Sequence, residues 1–144
     1  MTQEDKELLI KDLSARLPYG VCVEHTSGFR GTLHDITVYF TYNDDDTIKD
    51  YMCYTDFFGD ESCKIEFFKP YLYPLSSMTD EQKEEYHYIV NYISPDDTEN
   101  WAEGEFIYAN QIEQLLHFYH RNHLDYRGLI EKDLALDATN KNIY

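Results

Sequence analysis

The chain has 144 residues and carries 28 acidic against 12 basic side chains, a net charge of −16. This length suits one domain with a single core. The charge argues against direct binding to nucleic acid or to an anionic membrane, because both need clustered Lys and Arg. Three cysteines without a Cys-x-x-Cys pair indicate thiols in a reducing compartment, and the lack of a secretion signal predicts a cytoplasmic protein.

The first predicted element is an amphipathic helix over residues 3–17. Its apolar residues recur at helical spacing between Leu9 and Leu17, with polar residues on the opposite side. Thr2 is a suitable N-cap, and Pro18 follows as a helix-ending residue. We therefore expect this helix to bury one face against the rest of the domain.

From residue 21 to 68 the hydrophobic period changes to two, which predicts short β-strands. Turn residues at 26–28, 43–46 and 58–61 separate the strands, and such short connections join antiparallel neighbours. The longest alternation places one set of residues on an apolar face and the other on a wet face: Ile36, Val38 and Phe40 against Thr37, Tyr39 and Thr41. An open sheet and a small SH3-like barrel both fit this β-meander.

Helices are predicted after Pro70 and Pro74, which cannot continue a central strand. Thr79 and Gln82 form a capping box for a helix over about 79–93. Its apolar side should pack on the sheet and comprises Tyr86, Ile89, Val90 and Ile93.

A further helix is predicted over about 110–123, with Asn110 as its cap and an apolar face that includes Ile112. The tail at 137–144 should be loosely held. The chain is therefore predicted as one α+β domain over residues 1–144, with an N-terminal helix, an antiparallel meander and two C-terminal helices.

One stretch of the last predicted helix has the spacing of a metal site. Glu113, His117 and His120 lie at i, i+4 and i+7, so one face presents ligand types that zinc accepts. That face points away from the apolar stripe, and a fourth ligand is missing. We interpret it as a solvated helix face and predict no cofactor and no catalytic residue. In the following segment we interpret Asp125 as a cap and Arg127 as an ion-pair partner.

Fourteen tyrosines are the most unusual feature of the composition. Tyrosine provides contact area at little entropic cost, so it is enriched in binding surfaces. Several tyrosines must lie outside a core of this size, although others can replace Phe and Leu at its edge. The predicted contact surface combines tyrosines with the acidic side of the helix at 79–93 and comprises Tyr39, Glu81, Glu84, Glu85, Tyr88 and Tyr92.

Three stretches of the chain together carry a resemblance to a known group of proteins. They are residues 2–9 with 15–21, residues 69–79 (KPYLYPLSSMT) and residues 125–130 (DYRGLI). Together they resemble a family of short, acidic, uncharacterised proteins encoded by gut bacteria and by their phages or integrated elements. The resemblance implies a mobile-element context, and it implies no particular activity, cofactor or functional residue.

These observations predict a non-enzymatic accessory or anti-defence factor of a phage or mobile element. It would bind a protein partner with a basic surface. One alternative is a nucleic-acid mimic that inhibits a DNA-binding protein, which would need carboxylates in ordered rows. The other is a small metal-binding enzyme that uses the segment 113–125.

Overall fold

The structure is a computed structural model that describes residues 1–42, 47–56, 62–92 and 101–144. It contains the helices α1 (Gln3–Arg16), α2 (Asp80–Tyr92) and α3 (Trp101–Arg121), and the strands β1 (Cys22–His25), β2 (Arg30–Tyr42), β3 (Thr47–Thr55), β4 (Ser62–Lys64), β5 (Phe68–Leu72) and β6 (Leu136–Asp137). The predicted α+β class is confirmed. The turns predicted at 43–46 and 58–61 lie outside the described residues.

Helix α1 begins and ends as its sequence predicts. The amide of Thr2 donates to the Asp5 carboxylate at 2.9 Å, and the amide of Asp5 donates to the Thr2 hydroxyl at 3.1 Å. This capping box satisfies two amides that have no partner inside the helix. Leu9 and Leu13 are fully buried, and the chain tightens into a 3-10 turn at Leu17–Tyr19.

The strands form one mixed sheet in the order β4-β3-β2-β1-β5-β6. Neighbouring strands are antiparallel except for β5 and β6, which pair in parallel. Strand β2 is shared, since its first residues pair with β1 and the remainder pairs with β3. A bulge between Leu33 and Asp35 separates the two halves, and bulges of this kind bend a strand. The predicted antiparallel meander is thus present in β1 to β4.

The connection from β4 to β5 requires this sheet to be strongly curved. Strands β4 and β5 are four positions apart in the sheet, a distance of about 19 Å if the sheet were flat. Lys64 and Phe68 are joined by a single 3-10 turn at Ile65–Phe67, and four residues span at most about 14 Å. The sheet therefore curls so that β4 approaches β5. Among the described residues no strand pairing joins β4 to β5, so the sheet remains open.

Helix α1 packs on the inner face of the curled sheet. The main buried cluster joins α1 to the strands and to the segment after α3, and it includes Leu9, Leu13, Val21, Val23, Leu33, Tyr51, Cys53, Ile65, Phe68, Leu72, Leu129 and Leu134. A second cluster lies between α2 and α3 and is formed by Ile89, Phe118 and Leu124. The prediction that α2 packs on the sheet is therefore wrong, because α1 occupies the inner face and α3 supplies the apolar partner instead.

Helix α3 begins at Trp101, about nine residues before its predicted start. The predicted cap Asn110 is an interior residue of the helix. Ile112, which was predicted on the apolar face, is 58% exposed, whereas Phe118 is fully buried. Gly104 is the reason that the predicted start of the helix lies too late. A glycine disfavours a helical prediction, although a longer packed helix tolerates one.

The C-terminal tail is held in place, which corrects the expectation that 137–144 is loose. Strand β6 pairs with β5, and the amide of Ala138 donates to the carbonyl of Leu72 at 2.8 Å. The Tyr144 ring stacks on His123 with the centroids 3.7 Å apart. The Tyr144 hydroxyl donates to the carbonyl of Tyr71 at 2.6 Å. These contacts fasten the tail across β5.

A fully buried ion pair within α1 also anchors that helix to the segment after α3. Arg16 donates to the Asp12 carboxylate at 2.6 Å and to the carbonyl of Leu124 at 2.8 Å. Arg127 Nε lies 3.2 Å from the same carboxylate, at a geometry that does not complete a hydrogen bond. The ion pair predicted for Arg127 is thereby confirmed, and Asp12 is its partner.

The cap predicted for Asp125 is also confirmed. Its carboxylate accepts from the amides of Leu129 and Ile130 at 2.9 and 2.8 Å. Gly128 follows with φ of +69°, a left-handed conformation that favours glycine. The segment after α3 is therefore a series of turns that the Asp125 carboxylate and the left-handed Gly128 stabilise.

Candidate functional site

The outer face of the β2–β3–β4 half of the sheet forms a shallow groove. The strand register sets Thr37 of β2 opposite Met52 of β3, which in turn lies opposite Lys64 of β4. A parallel row runs from Asp35 through Tyr54 to Ser62, and Tyr39 lies opposite Asp50. The groove has a volume of about 330 Å³ and is lined by Thr37, Tyr39, Asp50, Met52, Tyr54, Ser62 and Lys64. We call it the outer groove.

The ribbon formed by β2 and β3 leaves large apolar side chains uncovered. Strand β4 pairs with β3 only over residues 52–54, so the ribbon continues beyond it. Tyr39 is 59% exposed, and on the other side of the same strand Val38 and Phe40 are 42% and 50% exposed. The sequence predicts an apolar face formed by Ile36, Val38 and Phe40. Of these three residues only Ile36 packs on the core. Val38 and Phe40 therefore lie outside the core.

Asp50 is the most enclosed charged group of the outer groove. Its carboxylate lies 2.9 Å from the ammonium of Lys64 and 3.6 Å from that of Lys6, and it accepts from the amide of Tyr51 at 3.0 Å. Burial alone would raise the pKa of Asp50, but these three neighbours together hold its pKa below the usual value. The carboxylate is therefore ionised and locally neutralised at pH 7.

The outer groove continues into a second depression at the end of β1. This depression has a volume of about 460 Å³, and the two share Met52, Ser62 and Lys64. Its remaining wall is formed by His25, Thr26, Cys63, Glu66 and Phe67. Glu66 is held by Lys6 at 2.6 Å. Together the two depressions offer an elongated surface with an apolar floor and a rim of hydroxyl and ammonium donors, which suits an extended chain.

The predicted contact residues fall on two surfaces of the molecule. Tyr39 lies in the outer groove, whereas the acidic residues and Tyr88 belong to α2, which contributes no residue to the groove lining. Glu81 and Glu84 are exposed, Glu85 forms an ion pair with Arg121, and Tyr88 is 58% exposed. Tyr92 is the last residue of α2, and its side chain lies outside the described residues.

The two histidines among the metal candidates of α3 form hydrogen bonds with tyrosines. The Tyr19 hydroxyl lies 2.6 Å from His117 Nδ1, and the Tyr126 hydroxyl lies 2.9 Å from His120 Nε2. Glu113 lines an open cleft of about 370 Å³ together with His117 and His120. His120 is buried, so the expectation that all three face solvent is wrong. Burial lowers the pKa of His120. In the part of the chain that the structure describes, no group of three or more His, Cys, Asp or Glu is placed to hold a metal ion.

Five residues of the outer groove escape prediction from the sequence. They come from β3 and β4, and their neighbours depend on the strand pairing: Asp50, Met52, Tyr54, Ser62 and Lys64. A period of two is visible in 50–54, where Tyr51 and Cys53 turn inward. That signal separates the two faces of β3. It does not tell which side chains of β2 and β4 stand beside them.

Comparison with protein-family models, with curated proteins and with solved structures found no match to this chain. Within the described segments, every helix falls short of the length and apolar character needed to cross a lipid bilayer. The residues of the outer groove and their chemistry are therefore the basis for assigning a function.

Proposed function

We propose that this chain is a non-enzymatic protein-binding module whose outer groove and ribbon hold an extended segment of a partner protein. The observation that carries this proposal is the exposed Tyr39, which lines the groove together with the apolar Met52 and Tyr54. Exposed aromatic side chains beside a partly buried apolar surface are typical of the centre of protein interfaces. Asp50 and Lys64 neutralise each other, so the groove is better suited to binding than to activating a substrate.

The partner of this module carries a basic surface. A net charge of −16 raises the rate of encounter with positively charged proteins and opposes association between two copies of this chain. Asp35 is exposed at the end of the groove, next to Tyr54 in the register. An extended segment with an apolar anchor and flanking Lys or Arg therefore complements this surface better than a neutral one.

The proposal includes an SH3-like arrangement of the strands, left open between β4 and β5. It is supported by the division of β2 between two half-sheets and by the short 3-10 turn that returns the chain from β4 to β5. In this arrangement the inner faces are filled by the core and α1, so the outer face remains for binding.

We also propose the biological setting predicted above, a cytoplasmic accessory or anti-defence factor of a phage or mobile element. Its support is the family resemblance of residues 2–21, 69–79 and 125–130, together with three cysteines that are thiols. Nucleic-acid mimicry is less well supported, because Glu85 pairs with Arg121 and Asp80 with Lys83. These pairings interrupt the row of free carboxylates that a mimic requires.

Two matched tyrosine substitutions test the proposal. Tyr39→Ala removes the exposed tyrosine of the outer groove, and Tyr88→Ala removes an equally exposed tyrosine of α2. Proteins retained from a host lysate by the immobilised chain are identified, purified and measured against both variants by calorimetry. We expect Tyr39→Ala to weaken binding roughly 30-fold, the effect of about 2 kcal/mol for an interface anchor, and Tyr88→Ala to leave it unchanged.

Competing duplex DNA separates this proposal from nucleic-acid mimicry. A partner held by the outer groove stays bound in the presence of duplex DNA, whereas the target of a mimic is displaced by it. A lysate that contains no protein retained by the wild-type chain and lost with Tyr39→Ala contradicts the proposal. A partner lost with Tyr88→Ala instead assigns binding to α2.

A further inference from the structure

Two cysteines lie directly opposite each other on neighbouring strands. Cys53 of β3 pairs in register with Cys63 of β4, and both continue the cross-strand row that begins at Ile36 of β2. Cys53 is fully buried on the inner face, and Cys63 is half-buried at the edge strand. Both side chains therefore project from the same face of the sheet.

This register places the two thiols within reach of a disulfide bond. Directly opposed residues of antiparallel strands have their Cα atoms about 4.5 to 5.5 Å apart, and disulfides span Cα separations of about 4.4 to 6.8 Å. The third cysteine, Cys22, pairs with Thr32 of β2. It lies on β1, with β2 between it and β3. A bond between Cys53 and Cys63 thus needs only side-chain rotation, whereas one to Cys22 needs the sheet to open.

The two thiols differ in their access to solvent. Cys63 forms part of the wall of the second depression, beside Met52 and Glu66. Cys63 is partly exposed and Cys53 is fully buried, so a small reagent reaches Cys63 first. Cys53 is enclosed, and burial, with a smaller contribution from Cys63, raises the pKa of Cys53 to about 12. Since the thiolate is the nucleophile, Cys63 serves as the attacking thiol and Cys53 as the resolving thiol.

We propose that Cys53 and Cys63 are a thiol–disulfide exchange site that takes a low-molecular-weight disulfide of the glutathione class. The Cys63 thiolate attacks one sulfur of the small disulfide, forms a mixed disulfide and releases one small thiolate. Cys53 then loses its proton and attacks Cys63 Sγ, which expels the second small thiolate. Two protein thiols and one small disulfide become one protein disulfide and two small thiols. The proposal does not depend on the partner proposed above.

The three cysteines provide an internally controlled test. The reduced full-length chain is incubated with oxidised glutathione, quenched with acid, alkylated in denaturant and analysed by intact mass and peptide mapping. We expect the wild type to lose the mass of two hydrogen atoms and to yield one linked peptide pair containing Cys53 and Cys63, with Cys22 alkylated. Cys22→Ser should behave as the wild type does. Cys53→Ser should stop at a stable glutathione adduct on Cys63.

The rate of closure is a second measurement. Because the second step requires the Cys53 thiolate, the decay of the mixed disulfide should accelerate about tenfold per pH unit between pH 7 and 9. A wild-type chain that retains the adduct, bonds to Cys22 or remains fully reduced overturns the proposal. The same holds if the bond pattern in native buffer equals that in urea, because the folded register then has no effect.

Discussion

Removing the carboxylate of Asp12 should destabilise the protein more than almost any other single substitution. Asp12 and Arg16 have fully buried side chains, and Arg127 lies beside the same carboxylate. Asp12→Leu leaves two guanidinium groups without a buried counter-charge. Breaking a buried pair in this way costs about 3–5 kcal/mol. For a chain of this length that corresponds to a fall of about 10 °C or more in Tm.

The companion variants distinguish a charge effect from lost packing. Arg16→Met should cost less than Asp12→Leu, because Asp12 retains Arg127. The carbonyl of Leu124 loses one of its two donors and keeps the amide of Tyr126. The double variant Asp12→Leu with Arg16→Met removes both fully buried charges and leaves only Arg127, which is partly exposed. We expect it to cost about 1.5–3 kcal/mol, the contribution of a hydrogen bond from a charged donor, and so less than Asp12→Leu alone.

Urea denaturation followed by circular dichroism gives the free energy of unfolding for all three variants. Charge pairing predicts that the two single substitutions are strongly non-additive. If the cost of the double variant equals the sum of the two single costs, the buried charges act independently and the reasoning is refuted. It is equally refuted if Asp12→Leu lies within 1 kcal/mol of the wild type.

Two further outcomes follow from the helix cap of α2 and from His123. The Thr79 hydroxyl accepts from the amide of Gln82 at 3.2 Å, so Thr79→Ala should cost about 1 kcal/mol and speed hydrogen exchange in the first turn of α2, while Thr79→Ser should retain the wild-type value. Burial, with a smaller contribution from Arg16, lowers the pKa of His123 to about 4. The unfolded chain therefore binds a proton that the folded chain does not, and stability should fall as pH drops from about 6.5 to about 4. His123→Asn, which tolerates the φ of +51°, should flatten this part of the urea-derived pH profile, and an unchanged profile would assign the titration elsewhere.

Local signals in the sequence predict the elements that depend on local chemistry. The N-cap predicted at Thr2 and the capping box predicted at Thr79 are present in the structure, as is the Asp125 cap. Each of these features is fixed by hydrogen bonds within a few residues. Their prediction required no knowledge of the remaining chain.

Features that depend on distant contacts could not be predicted in the same way. The apolar side of α2 is visible as a pattern, but whether it meets the sheet or α3 depends on which element already covers the sheet. Arg16 has the position of an ordinary C-terminal helix cation, yet it donates to the carbonyl of Leu124 across the molecule. The outer groove depends on the register of β2, β3 and β4, and the bulge after Leu33 shifts the pairing of β2 with β3. The spacing of apolar residues identifies the buried face of a helix or strand, but it does not tell which other element lies against that face.

The tyrosines illustrate how the structure narrows a compositional signal to one surface. Tyr71 and Tyr51 are almost completely buried, and the hydroxyl of Tyr71 donates to Glu24. Other tyrosines use their hydroxyls to fasten elements together, as Tyr19, Tyr126 and Tyr144 do with His117, His120 and the backbone of Tyr71.

These tyrosines combine apolar area with an internal hydrogen bond, so much of the tyrosine content has a structural role. Tyr39 and Tyr88 are the most exposed tyrosines among the described side chains. Tyr39 alone of the two lies in a groove with an apolar floor. A general enrichment in tyrosine thus reduces to one residue whose substitution is informative, and this is why Tyr39→Ala, matched by Tyr88→Ala, decides between a binding surface on the sheet and one on the helix.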